Sequence, residues 1–248
     1  MLDFLKKKVE KGLNCRIYRH SLPRGADLSF DLHREFGRES FRTVFDVGAH
    51  RGEIARHFAG IFPSATIYAF EPVAALFGQL QRSTANEARI RPFPLAMGRE
   101  PGAASIHLGE GPATNSSILH QVSDTGRTET IQIESLSNFA EKENIGTIDF
   151  LKIDTEGYEL EVLAGAEPLL RQQRIRMIYA ECAPVKTAQV FVSLAQLAEF
   201  LQPHGYELFG IYDQQPHWEG RRTLLYFNAL FLCPDLAPPG SRLTEARR

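Results

Sequence analysis

The sequence predicts an α/β domain built on an open, mostly parallel sheet with helices on both faces. Three observations carry this reading. From about Phe41 onward, short β-rich apolar runs alternate with helical patterns. A glycine turn links the first run to an amphipathic helix, and acidic residues close several runs at what would be one edge of the sheet. With 248 residues, 43% of them hydrophobic, the chain is long enough to close one sizeable core.

In chain order, the strand candidates are Thr43 to Val47, Thr66 to Phe70, Ile90 to Ala96, Ile148 to Ile153, Ile175 to Glu181, Tyr206 to Tyr212 and Leu224 to Leu232. Between them, Ile54, Phe58, Ile61 and Phe62 mark the apolar face of one helix, and Leu194, Leu197, Ala198 and Leu201 that of another. Ser193 and Gln196 have the spacing of a capping box for the second of these. Pro72 fits the first turn of a further helix, where its missing N–H costs nothing. Two segments interrupt the alternation. Residues 1–40 form an N-terminal helical extension to a domain at 41–233, and an insert at about 101–133 offers Ala103 to Leu108 and Thr128 to Ile133 as an added hairpin. The tail at 234–248, rich in Pro, Gly and Arg, reads as frayed.

Composition narrows the function. The 28 basic and 30 acidic side chains nearly cancel, which argues against a nucleic-acid substrate. Cys15, Cys182 and Cys233 are odd in number and widely spaced, so they read as reduced thiols. The opening residues never reach the apolar run of a signal peptide or membrane span, and the expectation is a soluble, cytoplasmic protein without a transmembrane segment. Leu2, Leu5, Val9 and Leu13, interleaved with lysines, suit a short helix packed on its own domain better than a membrane-surface helix.

The first strand runs into Asp46-Val47-Gly48-Ala49-His50-Arg51-Gly52. Glycine lets a backbone pass close to a ligand. The D-x-G-x-x-x-G spacing is not the G-x-G-x-x-G that cradles a dinucleotide pyrophosphate, so a nicotinamide cofactor is disfavoured. The second strand ends in Glu71-Pro72, leaving a carboxylate where two ribose hydroxyls can be bound. Together, one βα unit apart, the two elements favour a nucleoside-containing ligand.

Asp154 follows an apolar strand, with Glu156 and Glu159 just after it, and Glu181 ends the next strand. In a doubly wound sheet Asp154 would face Gly48 across the cleft. Glu156 and Glu159 have a purely structural alternative, offsetting the positive end of a helix dipole. Asp154, Glu156 and Glu181 also make an oxygen set of the kind a divalent cation accepts, but no His or Cys stands at matching spacing, which leaves a metal unsupported. Among the histidines, His50 and His120 stand out against His107 and His217, and Asn115, Ser116 and Ser117 form a polar cluster that is either a ligand contact or a turn.

On FDVGAHRG, FPSATIYAFEP, PLAMG at 94–98, IDFLKIDTEGYELEVLAGA at 148–166 and IYAE at 178–181, the chain resembles the FkbM-type methyltransferases from Arg24 to Leu232. The run from Lys152 to Glu159 is the most family-specific of these. The resemblance implies a Rossmann-like class I methyltransferase fold, with a seven-stranded, mostly parallel sheet, helices on both faces and a small inserted hairpin. It implies S-adenosylmethionine as cofactor, lined by Asp46, Gly48, Ala49, His50 and Gly52, its ribose held by Glu71 beside Pro72, its adenine bordered by Ala96 and Met97, and Asp154 at the reacting end. Asp154, Glu156 and Glu181 are the catalytic candidates. His50 stands where the family usually has Asn, and Leu136-Ser137 where it has Leu-Asp. The expected activity is O-methylation of a sugar or secondary-metabolite hydroxyl, on a small molecule or glycan, with N-methylation or non-catalytic cofactor binding as the alternatives.

Overall fold

A computed structural model describes residues 9, 11–12, 22–108, 128–185, 191–217 and 222–233. In chain order these form α1 (Leu28–Phe36), β1 (Thr43–Val47), α2 (Glu53–Ile61), β2 (Thr66–Phe70), α3 (Ala74–Thr84), β3 (Ile90–Phe93), β4 (Ala96–Met97), β5 (Gly102–His107) and β6 (Thr128–Glu134). There follow α4 (Leu136–Lys142), β7 (Phe150–Ile153), α5 (Glu159–Gly165), α6 (Glu167–Arg171), β8 (Met177–Cys182), α7 (Leu194–Leu201), β9 (Glu207–Pro216) and β10 (Leu224–Leu232).

The central sheet has seven strands in the order β3-β2-β1-β7-β8-β10-β9. The pairs β3–β2, β2–β1, β1–β7 and β7–β8 are parallel, and β10 runs antiparallel to both neighbours. Chain order reverses between β1 and β7, and the cleft outside that reversal is where open sheets of this kind bind ligands.

Period-2 alternation splits the core into two layers. Phe45, Val47, Phe70, Leu151, Ile153, Ile178 and Ala180 pack with α4 to α7. Val44, Ile67, Ala69, Phe150, Met177 and Tyr179 pack on the opposite face with Leu32 of α1, with α2 and with Leu80 of α3. The capping box at Ser193 and Gln196 is formed in full. In α2, Phe58 and Ile61 are buried as the pattern requires, whereas Ile54 is 41% exposed. It turns out toward the cleft described below.

The structure changes two sequence expectations. The third strand does not run from Ile90 through Ala96. It ends at Phe93, whose carbonyl accepts the Glu71 N–H, because Ala96 and Met97 find another partner and pair parallel with β6 in a second sheet ordered β4-β6-β5. The expected hairpin, β5 antiparallel to β6, is part of that sheet. Pro72 is not in the first turn of α3, whose N-cap is Val73. The Glu71 side chain accepts the Val73 N–H at 2.9 Å, and the helix starts at Ala74, two residues later than expected. Asn115, Ser116, Ser117, His120, Cys15 and most of the amphipathic N-terminus lie outside the described residues.

The second sheet is seated on α5 by a close backbone approach. A Cβ on Gly165 would fall 2.0 Å from the Gly98 carbonyl oxygen. Gly165→Ala is expected to destabilise the protein by about 2 kcal/mol or more, in the overpacking range, whereas Gly146→Ala, with open space around it, should cost less than half as much. Urea denaturation of the two variants checks this, and equal midpoints would refute the packing argument.

Candidate active site

At the carboxyl edge of β1, β2 and β7 lies a cavity of about 370 Å³, within the usual range for small-molecule sites. Its wall takes Gly48, Ala49 and His50 from the turn after β1, Glu71 and Pro72 after β2, Ala96 and Met97 from β4, and Asp154, Glu156 and Tyr158 after β7. Glu53 and Ile54 from α2 and Ile106 from β5 close the sides. Most of the sequence-predicted cofactor residues thus meet in one space. Asp46 and Gly52 stand behind it.

The glycines of the turn do more for the protein than for a ligand. A Cβ on Gly48, whose φ is +80°, would fall 1.9 Å from the Asp154 carbonyl oxygen. On Gly52, at φ +87°, it would press on Leu80 and Ser83 of α3. Their absent side chains allow the turn to close on the end of β7 and α2 to close on α3. The turn's N–H groups are spent internally. Those of Gly48 and Ala49 bond the Phe70 carbonyl, that of Gly52 the Ala49 carbonyl, and that of His50 the Glu71 carboxylate at 2.9 Å. Those four donors form no pyrophosphate cradle, which strengthens the case against a dinucleotide.

Glu71 is 5% exposed. Each of its oxygens takes one backbone N–H, from His50 and from Val73, and each keeps a second lone pair. Burial pushes its carboxyl up to about 7, against the opposing pull of those two bonds.

The sequence reading gave Lys152 no role, yet it organises the floor. Its ammonium, buried, stands 3.2 Å from Asp46 Oδ1 and 3.3 Å from Asp154 Oδ2, and donates to the Gly48 carbonyl at 3.1 Å. Burial disfavours the ammonium, but the carboxylates of Asp154 and Asp46 outweigh it and hold Lys152 above its ordinary range. Asp46 is wholly buried, which pushes its carboxyl up while the Lys152 charge opposes the rise. The apolar run around Lys152, Ile148 to Ile153, was the available signal: a lysine inside a buried strand requires a partner.

The three catalytic candidates differ in surroundings. Asp154 is partly open at the cavity wall. Glu156 lies in the left-handed region at φ +53° and also lines the wall. Burial, and then the neighbouring charges of Asp154 and Glu159, push its carboxyl up to about 7. Glu181 is not on the wall of this cavity but beside it on β8, where burial and the charges of Asp154 and Glu156 push it up to about 9. Glu159 has the structural role. Buried, it accepts the N–H groups of Thr155 and Gly157 through Oε1 and so fixes the loop that carries Asp154. Burial and the Arg51 charge lower His50, which disfavours its cationic form. Ser137, where the family usually has Asp, is buried and donates to the Gly165 carbonyl. Among the described residues, no group of three or more His, Cys, Asp or Glu is arranged to hold a metal ion.

Residues 46–208 match the model of the methyltransferase FkbM domain. The chain belongs to that family. Relatives include the 31-O-demethyl-FK506 methyltransferase FkbM of Streptomyces tacrolimicus, 29% identical over 207 residues, which cover 72% of this chain and 76% of that one. The 2-O-methyltransferase NoeI of Sinorhizobium fredii is 24% identical over 154 residues, 56% of this chain and 62% of its own. A crystal structure of a methyltransferase FkbM from Methylobacillus flagellatus superposes with a TM-score of 0.53 at 17% identity, covering 78% of this chain and 44% of that one, and so shares the fold. The chain spans less than two thirds of the latter two proteins. The FkbM domain makes this chain an S-adenosylmethionine-dependent methyltransferase with a Rossmann-like fold. No helix among the described residues is long and apolar enough to cross a membrane.

The raised carboxyls have a consequence for stability. A carboxyl whose folded value lies above its unfolded one, near 4.5, contributes most below that value, and the contribution is lost as pH rises through the folded value. From about pH 5 to about pH 9, wild type should therefore lose stability relative to Glu181→Gln. Urea midpoints across that range test the sign; a difference that grows in favour of wild type would contradict it.

Proposed function

We propose that the protein transfers the methyl group of S-adenosylmethionine to a hydroxyl of a small molecule or glycan, a sugar or a secondary metabolite. The observation that carries this reading is one cavity in which a buried carboxylate, an apolar slot and an acidic end meet in sequence. Glu71, with a lone pair free on each oxygen, suits the two ribose hydroxyls. Phe70, Leu76, Leu95, Ala96, Met97 and Ile106 give the apolar slot that an adenine needs. Asp154 and Glu156 put negative charge at the end where a sulfonium would lie. The two relatives whose names specify O-methylation support oxygen as the acceptor atom.

When bound, S-adenosylmethionine supplies a methyl group already activated by a sulfonium. The residues then have to align an oxygen lone pair behind that carbon, and such positioning is worth about 7–11 kcal/mol in favourable cases. Asp154, anchored on its inner side by Lys152, presents its other oxygen to the acceptor hydroxyl and orients it. Glu156, with its carboxyl near 7, is matched to accept the proton at working pH. Tyr158 and Ile54 are bulky apolar side chains of the wall, available to limit water at the methyl group.

Glu71→Ala is expected to weaken binding of S-adenosylmethionine and S-adenosylhomocysteine alike by about 1.5–3 kcal/mol, the range for hydrogen bonds to a charged group. Unchanged affinity by calorimetry would remove Glu71 from the cofactor site. Asp154→Asn should lower the single-turnover transfer rate by at least ~10²-fold with only a modest loss of cofactor affinity. A wild-type rate in that variant would shift the role to Glu156 or Glu181.

A further inference from the structure

On the proposed reading, the adenosine end of the cavity is walled by β1 to β5, so the acceptor has to approach from the opposite flank, over β7, β8 and β10. That flank carries a set of side chains that no part of the fold explains. Glu181 lies one residue beyond the Ile153–Ala180 pair and is therefore next in register to Asp154, and Asn228 of β10 lies opposite it. Two residues along β10 on the same face stands Tyr226, stacked on Phe191 with ring centroids 5.1 Å apart. Between Tyr212 and Gln215, β9 bulges at Asp213, which has φ +48°. The bulge aims the Asp213 carboxylate back at the Tyr179 hydroxyl and the Asn228 amide. Asn228 is thus fixed, while the Glu181 carboxyl and the Tyr226 hydroxyl make no hydrogen bond or ion pair with any described residue.

We propose that this flank is the acceptor subsite: Tyr226 packs on an apolar ring face while Glu181 and Asn228 hydrogen-bond ring hydroxyls, and together they select an uncharged polyhydroxylated ring over an anionic one. The aromatic pair supplies an apolar plane with one polar tip, suited to the alternating C–H and O–H faces of such a ring. With its carboxyl raised to about 9, Glu181 near neutral pH can donate as well as accept, as ring hydroxyls require. Charge selection follows from the groups that face the subsite. Asp154 and Asp213 supply carboxylates, Glu156 with its carboxyl near 7 adds part of a charge at neutral pH, and Glu181 adds its own only as pH rises toward 9. The nearby cation, Lys152, is already shared between Asp46 and Asp154. A carboxylate or phosphate on the reacting ring would meet the negative charge of Asp154 and Asp213 and, in part, that of Glu156, while the protonated Glu181 offers it a hydrogen bond but no positive charge.

This inference rests on the methyl-transfer reading, and the experiment separates the two. Protein saturated with S-adenosylhomocysteine is titrated, with saturation-transfer NMR as readout, with methyl glycosides of glucose, mannose and rhamnose, and with glucuronate as the anionic counterpart. At least one neutral glycoside should bind, and glucuronate should bind about ten-fold more weakly or not at all. Tyr226→Leu and Glu181→Ala should each weaken the glycoside about ten-fold while leaving S-adenosylhomocysteine affinity, measured by calorimetry on the same samples, unchanged. Intact cofactor affinity also certifies that the variants are folded. Glucuronate binding as well as the glycosides, no glycoside binding to the loaded wild type, or variants that bind glycoside like wild type would each overturn the subsite. Failure of wild type to bind S-adenosylhomocysteine would sink the underlying methyl-transfer reading, and the subsite with it.

Discussion

The site depends on one buried cation. Lys152 sits in the middle of β7 and holds Asp46 of β1, Asp154 of its own strand end and the Gly48 carbonyl of the turn between them. These three groups define the two lips of the cleft at the point where the order of strands reverses. Removing the ammonium would leave the buried Asp46 carboxylate without its counter-charge, and breaking a buried pair in this way costs roughly 3–5 kcal/mol. Replacing a whole buried ionic set by apolar residues is often neutral or stabilising, so the triad is a device for position. It sets the distance between the turn and Asp154, which the close Gly48 approach then locks.

From this point the charge distribution across the sheet edge follows. Lys152 is fully engaged, and the carboxyls beyond it, Glu156 and Glu181, have no cation of their own within the described residues. Their values rise because burial and mutual repulsion both disfavour ionisation. The edge therefore grades from a paired Asp154 to carboxyls that hold their protons near neutrality. Such a gradient lets groups of one residue type serve different ends, charge placement at one position and proton exchange or hydroxyl recognition at the next.

Structural and functional carboxylates are interleaved in the same short run. Asp154, Glu156 and Glu159 lie within six residues, yet Glu159 turns inward to bind the loop's own N–H groups while Glu156 takes a left-handed backbone conformation and stays at the wall. Gly157, also at positive φ, makes that reversal affordable. Spacing alone does not separate these fates, since the loop is neither helix nor strand until Glu159 begins α5.

What the sequence determined by itself is what local periodicity and short-range chemistry encode: the alternation of strands and helices, the capping box at Ser193, the inserted hairpin and the gathering of Gly48, Glu71 and Asp154 at one edge. It also carried the family, because the run from Lys152 to Glu159 is contiguous. The tertiary structure decided what depends on partners distant in the chain. β3 stopped at Phe93 although its apolar pattern continued, because β6 recruited Ala96 and Met97 into another sheet. Asp46 went behind the cavity because Lys152, more than a hundred residues away, needed its charge. Gly52 was fixed by the side chains of α3. The Glu181, Asn228 and Tyr226 flank exists only because β10 returns antiparallel between β8 and β9. Each of these outcomes is set by which surface is left to pack against or pair with, and that is a property of the assembled sheet.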